Sequence, residues 1–114
     1  MNIDDLRLHD ALLESVELGP RRELTLRIFI PEVTTMTSRG NERRGTRVAV
    51  RFGGIENHPN VDRFFFGGPL RGQEDCIDRI EELRRNRHGW SIELSQRGRV
   101  AIKTSKLVSV SEVE

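Results

Sequence analysis

The chain has no tyrosine, a single tryptophan, a single cysteine and, among its basic residues, only two lysines, Lys103 and Lys106. One cysteine, Cys76, cannot close an internal disulfide, so a reducing cytoplasm is the expected compartment. No apolar run approaches the ~20 residues of a membrane helix, so no membrane association is expected. The opening residues Met1-Asn2-Ile3-Asp4-Asp5 lack the basic and apolar regions of a secretory signal, and none is expected. The three histidines, His9, His58 and His88, have no ligand spacing to one another or to Cys76, so neither a metal nor another cofactor is expected. The glycine pairs Gly53-Gly54 and Gly67-Gly68 sit outside any phosphate-loop frame, and no serine occupies a G-x-S-x-G elbow. No residue is therefore assigned a catalytic role.

What is present suits one domain. A length of 114 residues lies in the commonest domain range, and 35% hydrophobic content with a mean hydropathy of -0.54 implies a soluble fold with a modest core. The arginine skew could serve anion recognition through planar guanidinium forks, but the codon usage of a GC-rich bacterial genome is the better account of it. The net charge of +1 conceals an uneven distribution. Asp4, Asp5, Asp10, Glu14 and Glu17 face Arg7 alone near the start, whereas Arg39, Arg43, Arg44, Arg47 and Arg51 face Glu42 alone in the middle.

Alternation with period two dominates, the mark of half-buried strands. Leu6, Leu8, Leu12, Val16 and Leu18 form a first apolar face, interrupted by Asp10 and Glu14, so that strand begins late or carries a bulge. Gly19-Pro20-Arg21-Arg22 reads as a turn, and Leu24, Leu26, Ile28 and Ile30 complete an antiparallel hairpin that Pro31 ends. Residues 32–46 read as a long polar loop, the kind that is functional or disordered. Val48, Val50 and Phe52 share the face of a third strand, and residues 55–73 read as irregular. Cys76, Ile77, Ile80, Leu83 and Arg84 fall at helical spacing, acids lead and arginines follow, and Gly89 supplies a left-handed cap; the spacing predicts the one helix, over 74–88. Trp90, Ile92 and Leu94, then Val100 and Ile102, then Val108 and Val110 read as closing strands, and the tail from Ser111 as frayed.

One helix cannot cover both faces of five to six strands, and short connections favour antiparallel neighbours. The expected class is α+β: a mainly antiparallel, curved sheet of five to six strands, or a small two-layered β-structure, with the helix packed on it. A two-sheet sandwich with the helix at its edge is the rival.

Three constellations compete for function. His9-Asp10, joined by His58, is the constellation from which an enzyme site would be built, but strand neighbours point to opposite faces, and a structural role for Asp10 accounts for it as well. The segment Arg39–Arg51, with Arg39, Arg43, Arg44 and Arg47, suits an anionic partner, and as a solvated loop it needs none. Nucleic acid is disfavoured by a pI of 8.0 and by the lack of stacking aromatics near that segment. Phe64-Phe65-Phe66 cannot all point inward from an extended segment, so a ring is left for a partner unless the segment folds as a lid over the core.

Leu8-His9-Asp10-Ala11, followed by the hairpin and by Arg51-Phe52-Gly53-Gly54-Ile55, resembles the pattern of small bacterial immunity-type proteins of polymorphic toxin systems and related domains. In that pattern a "His-Asp-Ala" strand leads an antiparallel sheet and a later strand ends at a "Phe-x-Gly-Val" break. Residues 8–30 and 47–56 carry the likeness; Ile55 stands one place later than the pattern's valine, and Gly53 adds a glycine. The resemblance implies a non-enzymatic protein that neutralises a protein partner by masking it, and it carries over no functional residue. The expected function is thus a non-catalytic protein-binding module contacting its partner through Arg39, Arg43, Arg44, Arg47, Phe64, Phe65 and Phe66, with a homodimer among the arrangements allowed. Binding of nucleic acid or another polyanion through Arg39–Arg51 is the alternative, and an enzyme built on His9, Asp10 and His58 comes third.

Overall fold

A computed structural model describes residue 3 and residues 6–31, 45–67 and 78–113. Seven strands and one helix follow in the order β1 (Leu12–Leu18), β2 (Leu24–Pro31), β3 (Gly45–Phe52), α1 (His58–Phe66), β4 (Asp78–Asn86), β5 (Gly89–Leu94), β6 (Gly98–Lys103) and β7 (Ser109–Val113). The α+β class with a mainly antiparallel sheet and one helix is as expected. The strand count is seven rather than five to six, and the helix lies elsewhere in the chain.

The sheet order is β6-β5-β4-β1-β2-β3-β7, with antiparallel neighbours throughout. Its two halves meet at a short seam where only Leu12↔Arg79 and Leu13↔Asp78 pair. The Asp10 N–H to Ile80 carbonyl and Ile80 N–H to Ala11 carbonyl bonds, each 2.8 Å, extend that seam. The sheet is rolled, because its two ends touch. Phe52 of β3 meets Trp90 of β5 edge-on at 6.2 Å, the Thr104 hydroxyl donates to the Gly53 carbonyl, and the Glu56 N–H donates to the Lys103 carbonyl. Residues 104–108 then carry the chain from one sheet edge, β6, to the other, β7.

The period-two reading places the core correctly in β2, β3 and β5. Leu24, Leu26, Ile28, Val48, Val50, Phe52 and Ile92 are fully buried inside the roll, each large aliphatic side chain contributing about 1.5–3 kcal/mol. In β1 the register shifts between Leu13 and Ser15, so Glu14 occupies a bulge. Leu13 therefore points inward with Val16, while Leu12 moves to the outer face opposite Phe29. The strand both begins late and carries the bulge. The tail read as frayed is paired along β3 through Val113.

The segment expected to be a helix over 74–88 is strand β4 from Asp78 onward; residues 74–77 lie outside the described residues. The cause is a second bulge, between Ile80 and Glu82. One extra residue turns the inward spacing from two to three, so Ile80 and Leu83 imitate helical periodicity while facing Leu94 and Ile92 across the sheet. Gly89 is no helix cap: it pairs with Asn86 across the two-residue Arg87-His88 hairpin. The true helix, α1, falls in the stretch read as irregular. Asn57 precedes it, Pro59 sits in its first turn where a missing N–H costs nothing, and Val61 and Phe65, one turn apart, are buried. Asn57 spends its side chain on the neighbouring strand rather than on the helix. Its amide donates to the Ala101 carbonyl at 2.7 Å and accepts the Lys103 N–H at 2.9 Å, blunting the β6 edge as another strand would.

Candidate binding surface

The fold brings His9 and Asp10 together, against the expectation that strand geometry separates them. They occupy a turn before β1, and Asp10 adopts a positive φ of 66°. His9 Nε2 lies 3.5 Å from Asp10 Oδ2, and Nδ1 lies 2.9 Å from the Glu81 carbonyl. A carbonyl only accepts, so Nδ1 carries the hydrogen and donates it. The third group at this point is the carboxylate of Glu81, the bulge residue of β4, not His58. One ligand atom each from His9, Asp10 and Glu81 lies within 4.8 Å of the others, a donor set of the kind that holds a divalent cation. The Glu81 carboxylate also accepts the Ser95 hydroxyl. With His9 and Asp10 both exposed, the cluster works as a latch holding the N-terminal segment to β4.

That latch is pH-dependent. The Glu81 carbonyl accepting from Nδ1, then the Asp10 charge, raise the His9 pKa above its ordinary 6.5, with a further rise from the Glu81 charge and partial opposition from burial. A pKa raised on folding gives stability fully present below pH 6.5 and lost as pH climbs through the raised value. We expect the urea midpoint of the native chain to fall between pH 6 and 8 relative to that of His9→Gln, and the His9 ring resonances to titrate above an unfolded histidine. Parallel midpoints for the two proteins would refute this.

The residues expected at a partner surface divide. Arg39, Arg43 and Arg44 lie outside the described residues. Arg47 is on the outer face of β3, where its guanidinium pairs with Glu14 at 3.0 Å and covers the Phe29 ring at 5.0 Å. Phe64, Phe65 and Phe66 lie on α1; Phe65 is buried, Phe64 and Phe66 pack half-buried against the core, and Phe64 meets Phe65 edge-on at 5.0 Å. The aromatic run is the helical lid on the roll.

A different surface stands out at the end of the roll where the β4–β5 hairpin meets residues 104–108. A recess of about 270 Å³ opens there, lined by Arg85, Arg87, Trp90 and Lys106, with Leu107 and Val108 beside them. Trp90 is backed by Phe52, and Arg85, its partner across the hairpin, lies 4.9 Å over its ring. The Lys106 stem lies against Gly53 and Gly54, and its N–H donates to the Thr104 hydroxyl at 3.1 Å. Leu107 is 96% exposed, the one exposed large hydrophobic side chain among the described residues. None of these residues was singled out as functional in the sequence: Arg85 was assigned to a helix, and Lys106-Leu107 lacked a periodic partner. Leu107, preceded by Ser105-Lys106 and out of step with the Val108, Val110 alternation, was the available sign.

Comparison with known proteins returned no matching family model, no matching curated protein and no matching solved structure.

Proposed function

We propose that the chain is a non-catalytic protein-binding module that masks a partner, in the manner implied by the resemblance to immunity-type proteins. The observation supporting this is Leu107. A leucine exposed to 96% contributes nothing to the core, yet it stands beside a tryptophan and three cations at the rim of a recess. Trp and Arg are enriched at interface centres, and the exposed leucine adds apolar surface next to them. Binding of a polyanion through the Arg39–Arg51 segment has less support, since Arg47 is already committed to Glu14 and Phe29.

The test compares the native chain with Leu107→Ser as bait in lysate of the source cell. The native chain is expected to retain one stoichiometric protein, and the variant to bind it at least about tenfold more weakly, the loss of a central contact. Both should melt at the same temperature. A native bait that retains no protein, or a variant that retains the same protein equally well, overturns the reading.

A further inference from the structure

We infer that the recess at Trp90 takes an acidic peptide segment of the partner, one carrying carboxylates beside an apolar side chain. This inference rests on the protein-binding reading above and specifies the chemistry of the contact.

The argument is charge complementarity joined to an apolar anchor. The chain as a whole is nearly balanced at +1, yet the lining of this recess holds three cations, Arg85, Arg87 and Lys106, and no acid. Elsewhere on the surface Arg27 pairs with Glu17, Arg47 with Glu14, Arg84 with Glu82 and Arg99 with Glu93. At the recess, the Arg87 and Lys106 side chains have no hydrogen bond or ion pair among the described residues. The backbone that carries Arg87 is a tight two-residue hairpin where the Asn86 side chain accepts the His88 N–H at 2.9 Å, and the Lys106 stem lies over Gly53-Gly54.

Leu107 and Val108 decide the class of polyanion. A phosphate backbone has nothing apolar to set against an exposed leucine, and Trp90 is backed by Phe52 and covered by Arg85, which leaves no open face on which a base could stack. A peptide satisfies both parts: carboxylates for Arg87 and Lys106, and an aliphatic side chain for Leu107.

Trp90 is the only tryptophan in the chain, so its fluorescence reports occupancy of the recess directly. The probe is a dodecapeptide alternating glutamate and leucine, titrated at low and high salt beside a glutamine–leucine peptide, a glutamate–serine peptide and a single-stranded oligothymidylate. The glutamate–leucine peptide is expected to shift Trp90 emission saturably at low salt and to weaken as salt rises. Arg87→Gln with Lys106→Gln should weaken it roughly five- to tenfold at unchanged melting temperature, since each exposed charge contributes up to about 1 kcal/mol. No emission change, equal binding of the glutamine–leucine peptide, or tighter binding of the oligothymidylate overturns the inference. A native chain that retains its protein through Leu107 but ignores the acidic peptide loses this inference and keeps the protein-binding reading. A chain that binds the peptide and retains no protein loses that reading instead.

Discussion

Gly89→Ala is expected to destabilise the protein by about 3–5 kcal/mol and to lower its melting temperature by roughly 10–20 °C. Two independent effects combine. The backbone at Gly89 has φ +143°, a region L side chains avoid, which alone costs on the order of 1–3 kcal/mol. A Cβ would also stand 2.2 Å from the Ile102 carbonyl oxygen and 2.8 Å from the Thr104 nitrogen. Both are backbone atoms of the neighbouring strand and its exit, so neither can rotate away. Gly98→Ala separates the two effects: φ there is +86°, but nothing lies within 4 Å of the added atom, so only the backbone part, about 1–2 kcal/mol, is expected. Urea unfolding of both variants checks the pair. Equal destabilisation would mean that the close approach to β6 contributes nothing. Because Gly89 also lines the recess, its replacement should perturb Trp90 emission, whereas Gly98→Ala should leave it alone.

Where the fold was legible in the sequence, a single rule sufficed: residues two apart share a face. Leu24, Leu26 and Ile28, and Val48, Val50 and Phe52, needed nothing else, because those strands pair over most of their length without interruption. The rule failed where a bulge inserts a residue. In β1 the bulge at Glu14 exchanges Leu12 for Leu13, and in β4 the bulge at Glu81 makes Ile80 and Leu83 look helical. The glutamates and arginines of β4 have real helix propensity, and only β1 and β5 on either side, unseen in a local window, override it. The helix α1 was hidden for the opposite reason: nine residues, entered from Asn57 and ended at Gly67, give only about two and a half turns of pattern.

The candidate site was less legible because it belongs to no single segment. The recess joins a hairpin loop to a linker some twenty residues later, and the His9 cluster joins a turn to a bulge 72 residues away. His9 and Asp10 meet through a positive φ where strand geometry would part them. Phe64, Phe65 and Phe66, for which a free ring and a lid over the core both stood open, are packed by helical geometry with Phe65 buried and Phe64 and Phe66 half-buried.

Asp78→Ala is expected to cost about 3–5 kcal/mol, although position 78 begins a strand and touches no candidate partner surface. The carboxylate is buried and accepts three backbone N–H groups: Arg79 at 2.8 Å, Gln96 at 3.1 Å and Arg97 at 3.0 Å. Two of these belong to the β5–β6 turn, so one side chain at the start of β4 holds a hairpin nearly twenty residues away. The same turn presents Arg97, whose Nη1 donates to the Phe65 carbonyl at 2.7 Å near the end of α1. Removing the carboxylate frees the turn, leaves part-buried donors without their charged acceptor and loosens the link to the lid. It also weakens the short β1–β4 seam, where Asp78 pairs with Leu13. Asp78→Asn keeps one carbonyl oxygen in place and should lose roughly half as much, since hydrogen bonds to a charged acceptor are about twice as strong as neutral ones. Hydrogen exchange gives the site-specific reading: the Gln96 and Arg97 amides should lose protection in Asp78→Ala while the Leu26 amide in β2 keeps it up to the new global limit. An alanine variant within about 1 kcal/mol of the native chain would mean that water replaces the carboxylate at little cost, and that the turn holds itself.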